Sequence, residues 1–196
     1  TRAMMVGAFE ALDKIVREDD ECKVVITRGA GPCYSSGLNL HFLREESYAR
    51  KDWDHPGPTI EFTEFIRAFP RILIAQVHGY CLGGAFGLMN NHDLIIAADD
   101  AQIGMPEIPR GSFGQIATST LFHSGVSLKK ASLLALTAKN LTGKEADEVG
   151  HAHDRRHVGA QTVEVHGQDR LRARRDRRGK RRGIEVVGDG VDIDQD

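Results

Sequence analysis

Glu107 is the residue of this chain best placed to move a proton. It follows a proline directly and closes the stretch Arg71 to Glu107, RILIAQVHGYCLGGAFGLMNNHDLIIAADDAQIGMPE. A lone glutamate in a loop is ordinarily a solvated carboxylate, so its neighbours decide its reading. Upstream lie Gly83 and Gly84, just beyond the β-branched run Ile72 to Val77. Paired glycines where a strand gives way to a helix let a backbone approach a ligand closely, and the helix start leaves N–H groups without internal partners. Such donors suit an anion, whether a phosphate or the oxyanion of a polarised carbonyl. Tight strand-to-helix packing is the other reading of an isolated glycine pair.

A second junction of this kind is Cys33 to Leu40, CYSSGLNL, which runs into the mixed segment His41 to Glu46. It offers N–H groups at another helix start, with Asn39 near an N-cap, or else it is an ordinary connecting loop. The remaining reactive side chains point to structure. His78 and His92 flank strands with no second ligand at metal-binding spacing, so packed or hydrogen-bonded imidazoles are expected. Asp93, Asp99 and Asp100 bracket a strand as cap or turn residues. Cys81 has no evident base partner and reads as packing. Cys22, Cys33 and Cys81 form no CxxC pair and are expected to be reduced thiols in a cytosol-like compartment.

These residues need a scaffold. Apolar positions from Met5 to Val16 recur at helical spacing and predict a helix over residues 2–18 that must lie on a sheet. An upstream strand is therefore expected to be absent from the sequence. Lys23 to Thr27 reads as a buried strand, residues 47–58 as a proline-bounded surface loop, and Thr59 to Ala68 as a helix ended by Pro70. Further strands are expected at Ile72 to Val77, Asp93 to Ala98 and, shorter, Ala101 to Met105. Helices are expected over Gln115 to His123, Leu128 to Leu136 and Gly143 to Val149, the last opened by Thr142 with Glu145 as capping-box partner. Strands alternating with helices imply an α/β layer architecture.

The 196 residues suffice for one domain, and a formal net charge of -2 favours neither a nucleic-acid nor a membrane partner. No apolar run reaches a membrane span, so a soluble, cytoplasmic protein is expected, with an organellar leader conceivable upstream. After Gly150 the composition turns to Arg, Asp, His and Gly, with almost no Leu, Ile or Phe. Residues 1–150 are read as the domain and 151–196 as a tail. A reading-frame shift in a GC-rich gene is the first explanation, with disorder as its physical outcome. With CGN arginine codons, reading His153 to His157 one base later permits a Thr-Thr-Val-Val run. Sequencing the locus tests this, since an intact frame through codon 150 rules it out. A nucleic-acid-binding arm over Arg170 to Arg182 ranks last, because no aromatic residue accompanies the arginines.

Four segments in order, VVITRGAGPCYSSGLNL, QVHGYCLGGAFGL, HDLIIAADDAQIGMPEI and LTGKEADEVG, make the chain from Thr1 to Gly150 resemble the crotonase superfamily, the enoyl-CoA hydratase/isomerase family. The resemblance implies a crotonase-like spiral of ββα units, truncated at the N-terminus and divergent at the C-terminus, holding an acyl-CoA thioester. It places the two oxyanion-hole N–H groups on Leu38 and Gly84 and a CoA-contacting loop on Ser36, Gly37, Leu38, Asn39, Leu40 and His41. Gly83, Gly84 and Gly87 line the substrate, and Glu107 is the proton-transfer residue. No metal or redox cofactor is implied, coenzyme A being part of the substrate. A homotrimer or dimer of trimers is implied for an intact C-terminus; without it, exposed apolar surface and aggregation are expected.

In family members that hydrate a double bond a second glutamate stands where this chain has Gly87. With Glu107 alone, shifting a double bond becomes the more natural chemistry and efficient hydration less so, unless Glu45, Glu46 or Asp54 substitutes. Hydrolysis, decarboxylation and dehalogenation of CoA thioesters lie within the same resemblance. Gly87 also keeps open a catalytically weak acyl-CoA-binding or scaffold protein.

Overall fold

The computed structural model describes residues 2–41, 58–122 and 124–154, with strands at 165–166, 170–171 and 184–188. The predicted loop at 47–58 lies almost wholly outside the described residues, as do Glu45, Glu46 and Asp54.

Helix α1 (Arg2–Glu18) buries Leu12 and Ile15. They pack with Val25 of β1 (Val24–Gly29), Leu73 of β2 (Ile72–Val77), and Ile66 of α2 (Pro58–Arg67) together with Phe69 beyond its end. Phe9 meets Phe65 at 4.4 Å between ring centroids, joining the two helices over the same sheet face. Alternation along the strands sends Ile26, Ile74 and Ile96 to the opposite face, in a cluster of their own.

From β2 onward the chain repeats one unit. A strand joins a large, mostly parallel sheet, a short strand joins a small sheet, and a helix follows. The first round is β2, β3 (Tyr80–Leu82) and α3 (Gly84–Met89); the second is β4 (Leu94–Ala97), β5 (Gln102–Gly104) and α4 (Gln115–Leu121). After α5 (Leu128–Thr137), β6 (Leu141–Thr142) closes the small sheet and α6 (Gly143–Glu148) leads to β7 (His153–Asp154) on the edge of the large one. This is the expected ββα architecture. The principal core fills the space among these units, with Phe86, Met89, Ile103 and Leu121 fully buried. Strand β3 is an addition to the sequence reading, since three residues are too few to show a period.

Beyond Asp154, β8 (Val165–His166), β9 (Arg170–Leu171) and β10 (Ile184–Gly188) are strands. β10 pairs in parallel with β1, Val25 opposite Ile184 and Gly29 opposite Gly188. The sequence reading placed no strands in these segments. This pairing occupies the backbone groups on that side of β1, and the β-branched run IEVV suits such a strand.

Candidate active site

The β3–β5 pairing places Leu82 opposite Gly104. One residue on, Gly83 turns with φ 57, a left-handed value that favours glycine, and its N–H donates to Gly104 O at 2.9 Å. The ends of the two strands are thereby held side by side, α3 starting at Gly84 and the Met105-Pro106-Glu107 segment leaving β5. The consequence is a close approach: a Cβ at Gly83 would stand 2.8 Å from Glu107 Oε1.

The Cys33 to Leu40 junction is fastened to the same strand. Ser35 N–H donates to Tyr80 O at 3.0 Å, and Leu82 N–H donates to Ser35 O at 3.1 Å. Gly37 has φ 100, and a Cβ there would collide with Leu82 O at 2.6 Å and approach Gly84 N to 3.3 Å. The Leu38 side chain lies over Gly84, where a Cβ would meet its Cγ at 2.7 Å. Gly37-Leu38 and Gly83-Gly84 are thus packed backbone to backbone. Neither the Leu38 nor the Gly84 N–H has an acceptor among the described residues. Two unpaired amides at adjoining turns are the arrangement an oxyanion requires.

Ser36, Asn39, Leu40 and His41 are exposed around this junction. Asn39 Oδ1 accepts from His41 N–H at 2.9 Å, the N-cap bond expected where Leu40 and His41 turn helical.

Glu107 is half-buried, and its Oε2 is shut off from solvent with no hydrogen-bond partner among the described residues. Burial pushes its pKa up from the ordinary 4.5, opposed by its own backbone N–H and by Arg110. The carboxylate sits in a slot between two glycines. A Cβ at Gly114 would stand 2.8 Å from Glu107 Cδ. The sequence reading missed Gly114; a single glycine in SFGQ carries no local signal of what it faces.

Gly87 is buried within α3, and its missing Cβ points into α4, 2.9 Å from Ile116 Cγ2 and 3.2 Å from Ala117 N. Its N–H donates to Gly83 O at 3.2 Å, one turn along α3, and its bare α-carbon lets α3 and α4 pack closely. Asp93 Oδ2 accepts from Leu73 N–H, His78 Nε2 meets Gly31 O at 2.9 Å, and Cys81 is buried with its Sγ 3.6 Å from Met89 Sδ. His78 and Cys81 take the structural roles expected of them, whereas Asp93, expected to cap or turn locally, ties the start of β4 to β2. Burial also lifts the Cys81 thiol well above its ordinary pKa, away from thiolate chemistry.

The Gly37-Leu38 and Gly83-Gly84 turns and the half-buried Glu107 carboxylate thus adjoin one another on a scaffold of repeated ββα units. A family model described as Enoyl-CoA hydratase/isomerase matches residues 1–174, running past Gly150, where the sequence reading ended the resemblance. The chain belongs to this family, in the crotonase superfamily. It is 28% identical to the (7aS)-7a-methyl-1,5-dioxo-2,3,5,6,7,7a-hexahydro-1H-indene-carboxyl-CoA hydrolase of Rhodococcus jostii, over 76% of this chain and 57% of the relative. It is 27% identical to the peroxisomal Delta(3,5)-Delta(2,4)-dienoyl-CoA isomerase of Arabidopsis thaliana, over 73% of this chain and 54% of that one. The solved structure of Pseudomonas aeruginosa AtuE superposes with a TM-score of 0.68 at 30% identity, over 78% of this chain and 59% of that chain. The chain therefore spans little more than half the length of these relatives. Among the described residues no helix is long and apolar enough to cross a membrane.

Proposed function

We propose that this chain carries the catalytic half of an acyl-CoA enzyme in which one carboxylate moves a proton on a polarised thioester. The thioester oxygen sits between the Leu38 and Gly84 N–H groups, and the exposed Ser36 to His41 segment receives the CoA. Charge that develops on that oxygen as an enolate forms is met by donors already in place.

Glu107 then acts as the base. In a 3-enoyl-CoA, its carboxylate takes a proton from the carbon next to the thioester carbonyl, leaving a dienolate whose charge rests on the oxygen held by the amides. Returning the same proton to the far end of the conjugated system moves the double bond to the 2-position. No water or second carboxylate enters the balance. The observation that carries this reading is the slot: Glu107 lies between Gly83 and Gly114, one residue from the Gly84 amide, with Oε2 unpaired. Gly87 supports isomerisation over hydration, because its direction is filled by Ile116 and Ala117.

Turnover of 3-enoyl-CoA and 2-enoyl-CoA thioesters by the wild type and Glu107→Gln is the test. Isomerisation that falls at least about 10²-fold in the variant is expected. Equal turnover by both proteins overturns the assignment of Glu107 as the base, and no turnover by the wild type leaves an acyl-CoA-binding or scaffold role.

A further inference from the structure

The two segments that present the oxyanion amides are also joined through the protein interior, by side chains that the proton transfer does not use. His92 is buried and its Nδ1 lies 3.0 Å from Leu88 O. A carbonyl only accepts, so Nδ1 carries the hydrogen. Burial holds the ring neutral, its pKa lowered to about 4, so Nε2 is a bare acceptor. Thr27 Oγ1, 2.8 Å away, must donate to it. With its one proton committed, Thr27 accepts from the Tyr34 hydroxyl at 2.9 Å. The relay therefore has one proton order, Tyr34 to Thr27 to His92 to Leu88 O, and every polar atom in it is satisfied.

Its ends lie on the site's two halves. Tyr34 belongs to the junction that presents Leu38, and its own N–H donates to His78 O at 2.8 Å. Leu88 is on the last turn of α3, whose first N–H is that of Gly84. Backbone bonds from Ser35 to β3 fix only the near end of α3. The relay adds a tie at its far end, where Asn90 Nδ2 also donates to Thr120 Oγ1 at 3.1 Å. Thr27 anchors both ends to β1 in the centre of the sheet.

We propose that Tyr34, Thr27 and His92 are positioning residues that set the spacing and aim of the Leu38 and Gly84 amides. This rests on the oxyanion reading above, and the test separates the two. The full chain is bound to butyryl-CoA labelled with 13C at the carbonyl, and the carbonyl stretch is read by difference infrared spectroscopy beside kcat and KM for a 3-enoyl-CoA. In the wild type the stretch moves to lower frequency than in free thioester. In Thr27→Val most of that displacement disappears and kcat falls about tenfold with KM nearly unchanged, the mark of an interaction made in the transition state. Thr27→Ser, which keeps the hydroxyl, restores both. Tyr34→Phe, which keeps the ring, gives the same readout if the valine variant does not fold. A variant that melts earlier yet keeps the wild-type displacement and kcat reduces the relay to a structural tie and overturns the proposal. An undisplaced carbonyl in the wild type overturns the oxyanion reading itself, and the relay's role with it.

Discussion

The carboxyl carbon of Glu107 lies 2.8 Å from the point a Cβ on Gly114 would occupy. Gly114 has φ -71, which any residue adopts, so its bareness serves the carboxylate and not the backbone. In Gly114→Ala the methyl displaces the free end of the Glu107 side chain, which yields cheaply. The protein should melt close to the wild-type temperature while kcat drops about 10²-fold, the scale of an ångström-sized misplacement of a reacting group. Calorimetry and steady-state kinetics on the same preparation check it, and unchanged kcat would show that the slot tolerates the methyl.

Glu107 should also impose a pH dependence on stability opposite to that of a salt-bridged carboxylate. Its folded pKa is raised, chiefly by desolvation. Below the unfolded value the carboxyl is neutral in both states and the fold bears no penalty. As pH rises through the folded value, ionisation is opposed by burial and stability is lost. Glu107→Gln removes this term. Its melting temperature should exceed that of the wild type at neutral pH, and the gap should close under acid conditions; a constant gap from acid to neutral pH contradicts the assignment.

Activity should depend on the same group in the opposite sense, because the base form is the ionised one. The acid limb of kcat/KM for 3-enoyl-CoA isomerisation should fall above 4.5, the ordinary value for a glutamate. A limb at or below it would point to a solvated carboxylate or to a different base.

Much of this site was legible where its signals are local. Gly83-Gly84 and Gly37-Leu38 announce close-approach turns, and in the structure both have positive-φ glycines and amides unpaired among the described residues. The box opened by Thr142 is likewise formed, with Glu145 N–H donating to Thr142 Oγ1 and Thr142 N–H donating to a Glu145 carboxylate oxygen. What the sequence hides is non-local. Thr27 and His92 are 65 residues apart in the relay, and Gly114 and Gly87 matter for what stands opposite them. Residue type alone does not carry such neighbours. The strand at Ile184–Gly188 was missed because the surrounding composition outweighed a short β-branched run that only an open sheet edge makes useful.

The Thr142 box gives a control remote from the chemistry. Thr142→Ala removes the acceptor for Glu145 N–H at the start of α6, which should lower stability by about 1 kcal/mol. Denaturant unfolding measures this, with kcat for 3-enoyl-CoA expected to stay at the wild-type value.

Gly87 decides whether the missing second carboxylate can be put back. A Cβ there meets Ile116 Cγ2, which can rotate away, and also Ala117 N at 3.2 Å and Cα at 3.3 Å, which belong to the α4 backbone. Gly87→Ala should therefore destabilise by about 1–3 kcal/mol through overpacking, despite alanine's better helix propensity. Gly87→Glu adds an unpaired buried charge and should lose more still, without gaining 2-enoyl-CoA hydration. Joined with Ile116→Ala, the alanine variant should recover only part of the loss, since the backbone contact stays. Unfolding free energies of the two single variants and the double variant give the coupling. Full recovery in the double variant would place the whole obstruction in the Ile116 side chain and make this helix pair open to a second carboxylate.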